Sequence, residues 1–594
     1  MQVYKAPLND MRFVLLNLLD AGQLAKLPGF EEATPDTINS ILEEGAKLCE
    51  NVLHPLNRSG DEHGCTYENG VVRTPPGFKD AYKAFVEGGW LAMSANPEHG
   101  GQGLPELINF VFEEMVCSSN IAFGNYPLLS KGATALIEVH ATAELKSRYV
   151  PRLIEGRWSG TMCLTEPQCG TDLGLISTRA VPTDSGTYRV TGTKIFITAG
   201  EHDLSENIIH LVLAKLPDAP SGTRGISLFL VPKFTPRADG SLGPRNGVMC
   251  GGIEKKMGIH ASATCVLNFD DAEGWLIGEP HQGLKCMFTM MNAARLGVGL
   301  QGLGIGEAAY QSAVAYAKDR RQGRSLKGAA EPAASADPII VHPDVRRMLL
   351  TQRALNEGAR ALGYLVALNL DIARKHPDAA KREEADDFVQ LMTPVVKAFF
   401  TDCGSLAANI AVQIHGGHGY IREHGMEQYV RDSRIAQLYE GTNGIQALDL
   451  VGRKLGQHNG RLLRRFFHPV TAFIEDHKGD ERMAEFVEPL AKGLDRLRNA
   501  SLTIAGRGLA DPEEAGAAAT DYLKLFALVA VGYMWARMAR IALAKNGGGD
   551  NGFHATKLKT ARFYMARLMP ETSSLFAQLM AGKRTLMEMG ADEF

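Results

Sequence analysis

The stretch VQIHGGHGYIREHGMEQYVRDSRIAQLYEGT (residues 412–442) decides which class of fold the chain can adopt. Gly416, Gly417 and Gly419 follow a predicted helix and allow a ligand to approach the backbone closely. Their spacing is not G-x-G-x-x-G after a strand, so a dinucleotide-binding parallel sheet is unsupported. His415, His418 and His424 match no ligand pattern, and no metal is expected. The stretch closes on Tyr439-Glu440-Gly441-Thr442, a lone carboxylate at the apparent start of a helix. Most glutamates are solvated, which makes Glu440 a helix-end charge. A positioned general base is the competing reading.

Outward from this stretch, periodicity divides the chain. Residues 1–158 read as helices: Ile38, Ile41, Leu42, Ala46 and Leu48 recur at helical spacing after Thr34-Pro35-Asp36, and Pro105 opens a second helix. Residues 159–280 hold short β-branched runs (YRVTGTKIFITAG, NIIHLVLAKL, ISLFLVPK, ATCVLNFDDAEGWLIG) between turn residues, which predicts an antiparallel β domain. PTDSGTYRV reads as a hairpin entry. Residues 281–456 return to helical period, with an apolar stripe through Val345, Met348, Leu349, Leu355, Leu362, Val366 and Leu370. A Pro/Ala-rich loop, GAAEPAASADPIIVH, interrupts that bundle. A further helical block fills 457–594. There Asp511 reads as an N-cap, Pro512 as the first helical residue and Glu514 as a capping-box partner, and KNGGGDNG (545–552) reads as the end of the next helix.

The chain has 594 residues, 45% of them apolar and 22% charged, the balance of a soluble globular protein. A net charge of −4 gives no bulk attraction to nucleic acid or anionic membrane. Nine cysteines without C-x-x-C pairs suit reduced thiols in a cytoplasmic protein. Asp10 and Arg12 break the N-terminal apolar stretch, so it lacks a signal-peptide core. The longest uncharged apolar run, LFALVAVGYMWA (525–536), is too short for a membrane helix, and no integral membrane association is expected.

Three other segments could carry chemistry. In MCLTEPQCGTDLG (162–174), Thr165, Gly170 and Thr171 could offer hydroxyls and bare amides to a diphosphate, although most such turns are only turns. Alternation along KIFITAG (194–200) places Phe196 and Thr198 on one face, as a flat heteroaromatic cofactor or an ordinary core would have them. In DRRQGRSL (319–326), Arg320, Arg321 and Arg324 form either an anion site or a solvated face.

Together TEPQCGTD, KIFIT, QIHGGHGY and YEGT resemble the acyl-CoA dehydrogenase family, in family order and at family-like spacing over about 36–455. The extra C-terminal block resembles the long branch that includes 3-methylthiopropanoyl-CoA dehydrogenases and bacterial long-chain acyl-CoA dehydrogenases. The resemblance implies a mainly α fold with a central β domain: N-terminal helical domain, antiparallel β domain, C-terminal four-helix bundle and an appended helical domain. It implies FAD as cofactor and α,β-dehydrogenation of an acyl-CoA thioester, most simply a fatty acyl-CoA in β-oxidation. Glu440 then takes the α-proton, the Glu440 amide and a flavin hydroxyl stabilise the enolate oxygen, and enclosure should raise the Glu440 pKa.

By the same match, Leu164, Thr165, Gly170 and Thr171 meet flavin and diphosphate. Phe196 lies beside the flavin ring and Thr198 near its N5. Arg320, Gln322, Gln413, Gly416 and Gly417 reach the FAD of a neighbouring subunit, and Thr442 touches flavin. Arg295, Tyr439 and Gly441 match substrate-side positions. The family often has R-x-x-F-G where this chain has RRQGRS, and Gly444 replaces a glutamine of some members, so the adenine-end contacts depart from the pattern. The implied partners are acyl-CoA, an electron-transfer flavoprotein and a second copy of the chain. Rival readings are an acyl-CoA oxidase using O₂ and a flavin-fold DNA-binding protein. Residues 461–594 hold 19 Lys+Arg against 16 Asp+Glu, which argues against a basic nucleic-acid arm.

Overall fold

The computed structural model describes residues 2–237, 239–545 and 552–594. The chain forms two compact units, one of Lys47–Leu104 and Ser119–Gly297, the other of Met1–Ala46, Pro105–Ser118 and Val298–Phe594.

The first of these units is built on a seven-stranded sheet. Its strands are β1 (Trp158–Cys163), β2 (Arg179–Pro182), β3 (Tyr188–Thr198), β4 (Asn207–Lys215), β5 (Ile226–Pro232), β6 (Val248–Ile253) and β7 (Thr264–Ile277). They run in the order β6-β7-β3-β2-β4-β1, with β5 pairing β7 and β4. The sheet is mixed rather than antiparallel, because β1 runs parallel to β4, from Trp158 opposite Asn207 to Cys163 opposite Val212. Parallel neighbours need a long crossover, and the stretch carrying the T-E-P turn, β2 and β3 supplies it. β1, WSGTMC, lacks the β-branched enrichment that marks strands in sequence. The hairpin read in PTDSGTYRV is present as β2 pairing β3. β4, NIIHLVLAK, is mostly apolar and buried from Asn207 to Ala214 because both of its faces are covered. Ile209, Leu211 and Leu213 join a cluster with Leu136, Leu153 and Met287, while Val212 and Ala214 join another with Val190, Phe229 and Leu267.

The helical unit takes α1 (Pro35–Leu48) up to Ala46 and the first turns of α2 (Glu106–His140). It then holds the second half of α3 (Gly283–Asp319), followed by α4 (Pro343–Lys375), α5 (Ala379–His415), α6 (Met426–Arg434) and α7 (Asn443–Asp449). Thr34 caps α1 by accepting from the Thr37 amide at 3.2 Å. Asn120 (φ −162°, ψ 90°) interrupts α2 where the chain leaves this unit. The C-terminal block adds α8 (Arg461–His477), α9 (Ala484–Ala510), α10 (Pro512–Lys545), α11 (Phe553–Phe563) and α12 (Glu571–Met580). Asp511 caps α10 as expected, accepting from the Glu513 amide at 3.0 Å. Glu514, read as a capping-box partner, turns to Arg507 instead (3.8 Å). The expected helix end at 545–552 lies almost wholly outside the described residues.

By length and composition two segments could cross a membrane, Ala379–Tyr420 and Pro512–Lys545, more than the single short apolar run suggested. Their most apolar windows are 67% and 83% buried inside the protein, as core helices are.

A buried charge network ties this unit together. On α4, Arg360 binds Glu114 of α2 (2.6 Å), Glu307 of α3 (3.0 Å) and Asp10 of the N-terminal segment (2.6 Å). Tyr364 also donates to Glu114 (2.6 Å). From α11, Lys557 pairs with Asp10 and with Glu357 (2.7 Å), its ammonium lying over the Trp535 and Phe13 rings. Burial alone would raise the Asp10 pKa, but Lys557 and Arg360 outweigh it and hold it below the usual value. For Glu114 burial wins over Arg360, and the pKa is raised. Beside the network α10 presses on α4: a Cβ on Gly358 would lie 2.5 Å from Val531 and 2.6 Å from the Trp535 nitrogen, which donates to Ala354 O at 3.0 Å.

Lys557→Met would leave Asp10 and Glu357 facing each other without their ammonium, and removing one member of a buried ion pair costs about 3–5 kcal/mol. The variant should melt at a lower temperature than the parent at neutral pH. The depressed Asp10 pKa contributes stability above the ordinary carboxylate range that is lost as pH falls, so the gap should narrow in acid. Equal melting temperatures at pH 7 would contradict the assigned role.

Candidate active site

In the β unit two motifs are joined by one buried ion pair. Lys194 of β3 and Glu166 of the T-E-P turn meet at 2.8 Å, both side chains essentially inaccessible. Glu166 also accepts from the Ser177 and Thr178 amides (2.7 and 3.0 Å) and from the Thr178 hydroxyl (2.6 Å). Burial pushes Glu166 up, but Lys194, Thr178 and the Ser177 amide outweigh it and hold the carboxyl well below its usual range. Lys194 also donates to Leu164 O (2.9 Å), and the Ile195 amide donates to Thr165 O (2.9 Å). The turn that carries Leu164 and Thr165 is thereby fastened along β3, which carries Phe196 and Thr198. Neither Glu166 nor Lys194 stood out in the sequence as a charge; the available signal was that one lies in TEPQCGTD and the other opens KIFIT.

Beyond Lys194 the strand bulges. Cys265 pairs with Ile197 and Leu267 with Lys194, so Ile195 and Phe196 together oppose Val266. Phe196 takes a left-handed backbone (φ +58°) and is 59% exposed, while Ile197 is buried and Thr198 half-buried. Phe196 and Thr198 thus flank the buried Ile197, through a bulge rather than through simple alternation. Gly170 and Thr171 are exposed, and nothing lies within 4 Å of where a Cβ on Gly170 would stand. Arg295, on the part of α3 in this unit, is buried, with Nη1 3.5 Å from Asn292 Oδ1.

In the helical unit the Tyr-Glu-Gly-Thr segment is a strained turn held at several points. Glu440 has φ +59° and Gly441 φ +83°, consecutive left-handed residues. The conformation costs a non-glycine residue on the order of 1–3 kcal/mol and persists only where its surroundings enforce it. Before the turn, the Tyr439 hydroxyl donates to Gln301 of α3. After it, the Thr442 hydroxyl caps α7 by accepting from the Ile445 amide (3.3 Å). Asn443 is clamped to α5, accepting from Lys397 Nζ (2.9 Å) and donating to Asp402 (2.7 Å) and Thr401 (3.0 Å). Glu440 is half-buried.

Two more predicted segments lie together in the same unit. Gly416 (φ +58°, ψ −136°) ends α5 in a conformation open to glycine, and a Cβ on Gly416 or Gly417 would meet nothing within 4 Å. Tyr316, one turn before the end of α3, stacks on His415 (4.1 Å between ring centres) and lies 2.9 Å from His418 Nδ1. His418 and His424 stack at 4.6 Å. Burial pulls His415 down to about 4, leaving it neutral. Among the described residues no group of three or more His, Cys, Asp or Glu is placed to hold a metal. After α3, Arg321 pairs with Glu331 (2.6 Å) and Arg324 with Asp337 (3.3 Å). Asp337 is fully buried in an otherwise exposed loop and accepts from the Ser325, Ala330 and Glu331 amides (2.8, 3.0 and 2.9 Å). Those amides hold its carboxyl well below the usual range. Two of the three arginines therefore shape the loop. Arg320 and Gln322 are exposed, as are Gln413, Gly416 and Gly417.

Comparison with known proteins matches family models along the chain: acyl-CoA dehydrogenase N-terminal domain at 36–157, middle domain at 161–272 and C-terminal domain at 281–455. An "acetyl-CoA dehydrogenase C-terminal like" model matches 466–590. The chain is 44% identical over 582 residues to a 3-methylmercaptopropionyl-CoA dehydrogenase of Ruegeria pomeroyi, covering 96% of this chain and 97% of that protein. It is 35% identical over 584 residues to a butyryl-CoA dehydrogenase of Syntrophomonas wolfei, covering 95% and 94%. Among solved structures it resembles an acyl-CoA dehydrogenase of Bacillus anthracis complexed with FAD, with TM-score 0.76, 20% identity and coverage of 96% and 91%.

Lys194→Met should strand a buried Glu166 carboxylate and loosen residues 164–178. Limited proteolysis should then cut within that stretch, where the parent chain resists, and the double change Lys194→Met/Glu166→Leu should restore part of the resistance. A single variant as resistant as the parent would show that the pair does not hold the turn.

Proposed function

The chain belongs to the acyl-CoA dehydrogenase family, and we propose that Glu440 is the base of its α,β-dehydrogenation, acting on short unbranched acyl-CoA thioesters. The observation that carries this is the left-handed, half-buried Glu440 in a turn anchored on both sides. Strained backbone of this kind clusters at functional sites.

The cofactor is FAD, and the residues present suit it. Phe196 offers an exposed ring on a bulge, and Gly170, Gly416 and Gly417 offer backbone with open space where a Cβ would stand. Leu164, Thr165, Gly170, Thr171, Phe196, Thr198 and Thr442 would hold its flavin and diphosphate. When bound, FAD supplies the acceptor for the hydride that leaves Cβ. The Glu440 carboxylate accepts the α-proton, so the α C–H bond breaks as an O–H bond forms, and the Glu440 amide donates to the thioester oxygen, where charge develops. By the family match, Tyr439, Gly441 and Arg295 would serve the substrate.

Two relatives matched over nearly their whole length are named for 3-methylmercaptopropionyl-CoA and butyryl-CoA, acyl groups of only a few atoms, which supports the proposed substrate size. Electrons leave to an electron-transfer flavoprotein. The active form is a dimer, in which Arg320, Gln322, Gln413, Gly416 and Gly417 serve the neighbouring subunit's FAD. The strongly exposed Leu326 and Tyr420 (both 86%) support a protein surface at these segments.

Glu440→Gln should keep FAD and bind acyl-CoA, yet bleach the flavin ~10²–10⁴-fold more slowly in stopped flow, since an amide cannot accept the α-proton. Butyryl- and 3-methylthiopropanoyl-CoA should bleach the parent enzyme faster than octanoyl- or palmitoyl-CoA. Parental rates in Glu440→Gln would return Glu440 to an ordinary charge, and a preference for palmitoyl-CoA would overturn the proposed substrate size.

A further inference from the structure

Resting on the assignment of Glu440 as the base, we propose that Gln446 is its positioning residue: its carboxamide fixes the backbone turn from which the base projects. Gln446 lies on α7, fully buried, and touches no reacting atom by this assignment. Its Nε2 donates to two consecutive carbonyls, Glu440 O at 3.1 Å and Gly441 O at 3.3 Å. These carbonyls belong to the two left-handed residues of the turn. One donor group bridging adjacent carbonyls holds the peptide between them in a single orientation, and that orientation sets the direction of the Glu440 side chain.

The packing around the carboxamide is made for this contact. A Cβ on Gly441 would lie 2.7 Å from Gln446 Nε2, so the glycine serves the approach of the amide as well as the left-handed backbone. Thr442 starts α7 and the Gln446 amide donates to Thr442 O at 3.0 Å, so the helix carries its own clamp back over the preceding turn. The other anchors act elsewhere. Tyr439 holds the residue before Glu440 and Asn443 the start of the helix, while Gln446 reaches the carbonyl of Glu440 itself. Gln446 Oε1 is buried with no hydrogen-bond partner among the described residues, so the donor end accounts for the residue's bonding here.

The test compares Gln446→Leu, Gln446→Glu and Glu440→Gln in the FAD-loaded enzyme with butyryl-CoA, alongside the parent. A leucine removes both bonds at similar volume, whereas a protonated carboxyl restores a donor and an ionised one does not. A misplacement of a catalytic group by about 1 Å costs on the order of 10²-fold. Q446L should therefore bleach the flavin ~10–100-fold more slowly, with flavin content and butyryl-CoA affinity within twofold of the parent. At pH 6, Q446E should bleach faster than Q446L, a rescue that a packing defect would not show. Independently of turnover, amide hydrogen exchange across 438–446 should quicken in Q446L. Should E440Q be slow while Q446L keeps the parental rate, or Q446E be no faster than Q446L at pH 6, this inference alone is overturned. A parental rate in E440Q overturns the assignment of the base and this inference with it.

Discussion

Arg360 is the constraint on which the helical unit depends. A guanidinium with about 1% of its side chain exposed is tolerable only if its donors are filled, and three carboxylates from three separate chain segments fill them. The N-terminal segment, the bundle and the C-terminal block therefore share one electrostatic solution. With Arg353 also pairing with Glu357 (2.7 Å), four carboxylates (Asp10, Glu114, Glu307, Glu357) meet three cations (Arg353, Arg360, Lys557), and burial, with the Glu307 charge as a smaller contribution, raises the Glu114 pKa. Long helices packed with only apolar side chains could slide along one another; a forked cation matched to fixed carboxylates sets their register.

The same logic at smaller scale holds the proposed site. Two non-glycine residues assigned to the site, Phe196 and Glu440, are left-handed, and each sits where side chains from neighbouring elements pin the flanking backbone. At Phe196 the enforcing device is the bulge together with the Lys194–Glu166 pair. At Glu440 it is the set of bonds through Tyr439, Gln446 and Asn443. The strain is local; the Lys194–Glu166 bond that offsets it is buried, while those around Glu440 are mostly part-buried and the Asn443–Asp402 bond is exposed.

What was legible in the sequence follows from what sequence patterns encode. Helical period and β-branched runs located the long helices and strands β3, β4, β5 and β7, because burial of one face or two leaves a periodic trace. β1 and β6 escaped notice: WSGTMC and VMCGGI are short and glycine-bearing, and their strand character comes from neighbours. Glu440 attracted attention as a lone carboxylate in a conspicuous setting. The partners that hold it did not, since Gln301, Asn443 and Gln446 are ordinary polar residues whose role exists only once distant segments meet. Arg360 and Lys557 were invisible for the same reason, and Asp10 showed only as a charge breaking an apolar stretch. Of the arginine run, residue type alone showed three equal candidates and the family match pointed to Arg320; in the folded loop Arg321 and Arg324 engage Glu331 and Asp337.

The crossing of α4 and α10 at Gly358 has a consequence for what the bundle would be without its C-terminal block. Trp535 fills the space that any side chain at 358 would need, and its nitrogen takes the carbonyl of Ala354. Deleting residues 457–594 would therefore uncover Gly358 on α4, leave the Ala354 carbonyl without the Trp535 nitrogen, and take Lys557 from Asp10 and Glu357. The bundle and its extension belong to one packed unit, and neither surface is finished without the other.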